Sequence, residues 1–238
     1  HYPDKRIMIL TTLILMQGQV LAPAETGEEG RSVKLPNVFS VDDHFNLFGR
    51  VQQDFAWIDD ENFGTRNGSE LRRAWLGVSG NLAEGIDFKM EVDLAGFDKD
   101  GAAFRDAYLK FSNLPVGTLK VGQFKEPFSM NFLTSSKYIT FTERADTFAP
   151  GRNVGVMASD NTENLTWQVG AFWDAGKTGN LETEDDTALT GRVVFRPYME
   201  NGGERLAHLG LSISLREGEA GSYSASSRGG VHLLDNKV

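Results

Sequence analysis

The sequence predicts an all-β chain folded as an antiparallel transmembrane β-barrel, and three observations carry that expectation. Apolar residues recur with period two, the periodic blocks are about ten residues long as tilted membrane-crossing strands require, and the connections between blocks alternate between long and short.

Ahead of the first block, Lys5 and Arg6, the apolar run Ile7 to Leu15 and then Ala22-Pro23-Ala24 follow the charged, apolar, small-residue order of a secretory signal peptide. The run is shorter than the ~20 residues a spanning helix needs. Residues 1–24 are therefore expected to be a leader cut after Ala24, an amphipathic or buried amino-terminal helix being the alternative. Residues 25–43 read as a linker and 44–238 as barrel.

In the first block, Phe45, Leu47, Gly49, Val51, Gln53, Phe55 and Trp57 alternate with Asn46, Phe48, Arg50, Gln52 and Asp54, so that one face is apolar but for Gln53. The cleanest block is 86–94, where Ile86, Phe88, Met90, Val92 and Leu94 alternate with Asp87, Lys89, Glu91 and Asp93. A helix would smear both classes around its circumference. Blocks 165–174 and 207–216 repeat the pattern, and weaker ones lie at 71–81, 104–112, 118–125, 152–159 and 188–196, making nine candidate strands. In 118–125, Leu119 and Val121 share a face with Gln123 and Lys125, which calls for a register change or an early strand end.

The connections 59–69, 95–103, 126–151 and 175–187 are long, and 82–85, 113–117, 160–163 and 197–206 are mostly shorter. Such sorting suits a membrane barrel, with short turns on one side and longer external loops on the other. Nine strands is an odd number and bacterial barrels close with an even one, so the carboxy-terminal strands are expected to be missing. The segment 126–151 holds Pro127, Phe128, Met130, Phe132, Leu133, Tyr138, Ile139, Phe141 and Phe148, too apolar to stand in water. It is expected to fold into the barrel and narrow the lumen, with a short strand over 137–142 as the alternative.

Composition excludes several classes. A net charge of −9 and a pI near 5.0 leave no basic face for nucleic acid. With no cysteine there are neither disulfides nor thiolate ligands, and His1, His44, His208 and His232 are not at metal-binding spacing, so neither metal nor cofactor is expected. Gly176-Lys177-Thr178 lacks the upstream glycine of a P-loop, and Gly77-Val78-Ser79-Gly80 lies in a strand without a histidine to serve it. No clustered Ser, His and acidic set supports an enzyme. The acidic group Glu182, Glu184, Asp185 and Asp186 reads as a solvated loop or, alternatively, a surface site for a divalent cation.

Four segments, "LRRAWLGVSGNL" at 71–82, "DAYLKF" at 106–111, "VGQFKEPFSMNFLTSSKYITFTER" at 121–144 and "FAPGRNVGV" at 148–156, carry a resemblance to the phosphate-selective porins of O and P type. The resemblance runs from about Phe45 to Arg216, and the third segment is its most specific part. It implies a sixteen-stranded, usually trimeric channel in the outer membrane of a Gram-negative bacterium, in contact with lipid and passing small anions such as phosphate or polyphosphate. By matching position it implies an anion site at a constriction formed by Arg50, Arg72, Arg73, Asp106 and Lys125. Trp75 stands where a tyrosine is usual, so an indole donor is expected in place of a hydroxyl.

Strand parity puts Arg50, Arg73 and Asp106 on the wet face but Arg72 on the apolar one, where an arginine at mid-depth costs about 2–4 kcal/mol. Asp54, Asp87, Glu91 and Asp93 share the lumen, so counting charges does not by itself give anion selectivity, and the arginines also read as ordinary pore lining. The other function class compatible with the alternation is a soluble periplasmic or secreted β-barrel that binds a small ligand in an apolar cavity.

Overall fold

The computed structural model describes residues 6–17, 45–60, 64–95, 103–139, 144, 150–174 and 187–217, with backbone alone at 6–17, 58–60, 64–66 and 202. The cut after Ala24, the 25–43 linker, the Gly176-Lys177-Thr178 tripeptide and the acidic group at 182–186 lie outside the described residues.

Among the described residues, ten strands form one open antiparallel meander in which each pairs with its neighbours in sequence. They are β1 (Arg6–Gln17), β2 (Phe45–Asp60), β3 (Gly64–Ala83), β4 (Ile86–Asp93), β5 (Ala103–Leu114), β6 (Gly117–Lys125), β7 (Arg152–Asn161), β8 (Leu165–Trp173), β9 (Thr187–Glu200) and β10 (Arg205–Glu217). All nine blocks read from the sequence become β2 to β10, and the sheet is open, with β1 and β10 at its edges. The apolar run read as a leader lies in β1, in register with β2 from Arg6 opposite Asp59 to Gln17 opposite Phe48. An unpaired edge leaves a row of N–H and C=O groups, and β1 satisfies that of β2.

The connections 84–85, 115–116, 162–164 and 201–204 lie at one end of the sheet. The last of them, expected to be generous, shortens to a single 3-10 turn (Asn201–Gly203) because β9 runs on to Glu200. At the other end, the expected 59–69 loop contracts to 61–63 because β2 and β3 continue as a long hairpin. Among its described residues, the large connection 126–151 carries one short helix, α1 (Met130–Leu133), capped by the Ser129 hydroxyl, which accepts from the Phe132 N–H at 3.0 Å. Of the alternative strand over 137–142, the described residues 137–139 are turn or irregular.

The register sorts side chains onto two faces. One displays Leu47, Leu76, Met90, Leu109, Val121, Val156, Val169, Leu189, Leu211 and Ile213, all exposed. A continuous apolar surface across nine strands is far larger than the patches that water-soluble monomers leave bare. The other face holds the charged residues, plus a small apolar island of Phe124, Met157, Phe172 and Ala188. That inner face is smooth where glycine permits it: a Cβ at Gly77 would sit 2.4 Å from the Phe48 ring, so the ring lies flat on β3.

The register change expected for β6 falls at its hairpin with β5, between Phe111 and Leu114, and not within 119–125, and the strand runs on to Lys125. It pairs regularly with β7 from Thr118 opposite Ser159 to Lys125 opposite Arg152. Gln123 is accommodated on the apolar parity because its amide, buried, donates to the Phe104 carbonyl at 3.0 Å.

Candidate functional site

Two β-bulges build the site. Between β2 and β3 the register steps from Gln52 opposite Arg73 to Gln53 opposite Leu71, leaving Arg72 as the inserted residue. A bulge gives one strand two residues where its partner has one, so alternation is suspended there. Leu71 stays on the apolar face, 45% exposed, and Arg72 and Arg73 both line the inner cavity. The lipid-facing Arg72 that parity predicts is thereby corrected, and its 2–4 kcal/mol cost does not arise. Between β4 and β5 the step from Met90 opposite Ala107 to Val92 opposite Phe104 does the same for Arg105 and Asp106, which together face Glu91.

The resulting cavity, about 420 Å³, lies between the sheet and the 126–151 segment. Its wall residues come from β3 to β7, and Phe132, Leu133, Ser135, Ser136 and Arg144 of the segment close its other side. Seven basic residues (Arg72, Arg73, Lys89, Arg105, Lys125, Arg144, Arg152) stand in this lining against three acidic ones (Glu91, Asp93, Asp106). A chain of net charge −9 thus concentrates four excess positive charges in one enclosure.

Acid–base contacts hold the basic groups in place. Asp106 accepts from Lys89 Nζ at 2.7 Å and from Arg152 Nε at 2.8 Å. Glu91, buried, accepts from Arg105 Nε at 2.7 Å, and Asp93 lies 3.5 Å from Arg105 Nη1. Gln52 Oε1 receives Arg50 Nη2 and Arg73 Nη1, each at 2.6 Å, and so gathers two guanidiniums across the β2–β3 pair. Arg50 itself is buried behind the lining, where its Nη1 donates to Ser136 Oγ at 2.7 Å and ties the segment to β2.

Trp75 is the common surface for these arginines. The guanidinium carbons of Arg105, Arg50 and Arg73 lie 3.6, 4.9 and 5.7 Å from its ring centroid, all within cation–π range. Its indole N–H donates to Asp93 Oδ2 at 2.6 Å, because Asp93 is its cross-strand partner on β4.

Lys125 and Arg152 form the last cross-strand pair of β6 and β7, and both reach the cavity although their pleat parity is that of Val121 and Val156. At strand ends the chain leaves the sheet plane: Lys125 Nζ turns to donate to the Phe132 carbonyl and lies 4.7 Å from the Phe132 ring. Arg144 donates from Nε to the Asn131 carbonyl at 2.9 Å and from Nη2 to the Thr134 carbonyl, bracing α1 from the far end of the segment.

A family model described as phosphate-selective porin O and P matches residues 45–227. The chain belongs to that family. Porin O of Pseudomonas aeruginosa is 27% identical over 194 residues, covering 73% of this chain and 42% of the relative. A protein of Caulobacter vibrioides described as uncharacterized is 28% identical over 210 residues, covering 82% and 40%. The chain thus spans about two fifths of the length of these curated relatives.

Within this family member, the structure brings Arg72, Arg73, Trp75, Asp106 and Lys125 to one cavity and sets Arg50 directly behind it. Sequence reasoning did not single out Lys89, Arg105, Arg144 or Arg152. The signal for Arg105 was available: two adjacent charges inside a strand, as in Arg72-Arg73 and Arg105-Asp106, fit the period-two rule only if a bulge intervenes.

Proposed function

We propose that this chain forms part of the wall of an outer-membrane β-barrel porin through which small anions, phosphate or polyphosphate among them, diffuse passively. It is a channel and not an enzyme. The observation that carries the reading is the local reversal of charge, a strongly basic cavity pinched between wall and inserted segment in an acidic chain. The apolar face on the opposite side suits lipid hydrocarbon, and it weighs against a soluble barrel, whose apolar residues would line the cavity instead.

The chemistry is that of exchange of ligands around an ion. An anion entering the constriction sheds water and accepts N–H donors from Arg72, Arg73, Lys125 and their neighbours, in surroundings where those charges are less screened than in bulk. Passage also demands release. Glu91, Asp93 and Asp106 serve this by drawing part of the donor capacity of Arg105, Lys89 and Arg152 onto themselves, which keeps the site attractive without making it a trap. In this reading Arg72, Arg73 and Lys125 touch the ion, Arg50 and Trp75 order the arginines, and Asp106 sets the balance.

The barrel is closed by further strands, sixteen in the family pattern, and three copies assemble in the membrane. Residues 1–24 serve as the export leader, 25–43 as linker and 44–238 as barrel. The pairing of β1 with β2 then occupies the edge at which the closing strand of the mature barrel would dock.

The test is electrical. Protein expressed from the complete gene is inserted into a planar bilayer under a potassium chloride gradient. Chloride permeability makes the dilute side negative at zero current, and added phosphate reduces the chloride current. A cation-selective pore, or none, contradicts the reading.

A further inference from the structure

On the channel reading above, we propose that Glu126 is the positioning residue of the constriction, a buried latch that fixes the inserted segment across the inner face and thereby sets the aperture. Glu126 follows directly on β6 and is wholly buried, 0% exposed. Arg216 of β10, 90 residues further along the chain, grips both oxygens of its carboxylate, Nη2 to Oε1 at 2.9 Å and Nη1 to Oε2 at 3.0 Å. Asn153 of β7 donates to Oε1 at 2.6 Å, and the Thr190 hydroxyl of β9 donates to Oε2. Thr190 is in turn 2.8 Å from Ser214 of β10.

This arrangement is more than a surface ion pair. Neighbouring strands are about 4.8 Å apart, so β6 and β10 are separated by roughly 19 Å along the wall. One carboxylate reached from β7, β9 and β10 pulls the start of the segment across the curve of the sheet instead of along it. The next residue, Pro127, is also fully buried, and Gly151 closes the segment with a φ of +91°, a backbone shape that favours glycine. The Glu126 N–H donates to the Gly151 carbonyl at 3.4 Å, so both ends of the segment meet at the latch.

What the latch holds is the pore-lining part. Lys125, immediately before it, is bonded to the Phe132 carbonyl, and Phe132, Leu133, Ser135 and Ser136 line the cavity opposite Arg72 and Arg73. A displaced Glu126 therefore moves the segment side of the constriction, while the bulges that place the wall arginines are untouched.

The experiment compares full-length wild type with Glu126→Gln, Arg216→Gln and the double variant, each taken from the heat-modifiable, folded fraction. Single-channel conductance and open-channel current noise are recorded in potassium chloride. Each single change is expected to raise conductance and noise about twofold, since a segment released from the wall obstructs the lumen less and moves more. The double variant should match the singles, because both remove one shared contact. Folded variants with wild-type conductance and noise, or a double whose effects add, overturn the proposal. Should Glu126→Gln yield no folded barrel, Thr190→Val removes a neutral hydroxyl from the same carboxylate: raised noise supports the latch and wild-type noise overturns it. A wild type that conducts no anions overturns the channel reading as well, a result distinct from a conducting wild type whose variants behave like it.

Discussion

The Arg105 guanidinium lies 3.6 Å from the centroid of the Trp75 ring, the tightest of three arginine contacts on that indole. Because Trp75 is itself tethered to Asp93 at 2.6 Å, the ring is a fixed platform on which the guanidiniums are ordered. Replacing Trp75 by Leu removes about 1 kcal/mol of cation–π attraction. That should weaken phosphate block of the chloride current roughly fivefold. Trp75→Tyr keeps an aromatic face and should retain most of the block. Equal block in Trp75→Leu and wild type would mean the platform orders nothing that matters to the ion.

Asp106 sits between Lys89 and Arg152 at 2.7 and 2.8 Å and draws on both. In Asp106→Asn the cavity gains one positive charge and frees donor capacity on two cations. Phosphate should then block at a lower concentration, by roughly three- to tenfold, and leave more slowly, so that conductance in phosphate salts falls. Titration of the chloride current with phosphate reads both effects. Weaker block in the variant would show instead that Asp106 acts mainly by bracing Lys89 and Arg152.

The faces of β4 make a simpler prediction. Asp87, Lys89, Glu91 and Asp93 meet Lys110, Asp106, Arg105 and Trp75 on one side, while Met90 is exposed on the other. Single cysteines at 87, 89, 91 and 93 should react with a membrane-impermeant thiol reagent in intact outer membranes, and those at 88, 90 and 92 should not. The chain has no native cysteine to confuse the readout. Labelling at Met90→Cys equal to that at Lys89→Cys contradicts the assignment of faces.

All nine strands from β2 to β10 were legible because period-two alternation is a local property, written into each block by the pleat. The site was legible only where it obeyed that rule. Arg50, Arg73 and Asp106 keep their expected face, whereas Arg72 and Arg105 reach the cavity through bulges, which depend on how a partner strand is registered. Arg144, from within the long connection, and Arg152, just beyond its end, join through tertiary placement, which no single segment records. The same holds for charge. Glu91 and Asp93 look like opponents of anion passage in the sequence, yet both are engaged with Arg105, and Asp87 is taken up by Lys110 at 2.6 Å.

The central claim is that a few basic groups at the constriction outweigh the acidic remainder of the chain. Charges further away than about 8–10 Å are screened at physiological salt, whereas an ion in the constriction cannot avoid the wall. The most direct measurement is the zero-current potential under a potassium chloride gradient for the full-length wild type and for the triple variant Arg50→Gln, Arg73→Gln, Lys125→Gln. Anion preference in the wild type, shifted toward cations in the triple variant together with loss of phosphate block, is the predicted result. A triple variant with wild-type anion preference would contradict it, leaving these residues as ordinary lining of a pore whose selectivity arises elsewhere.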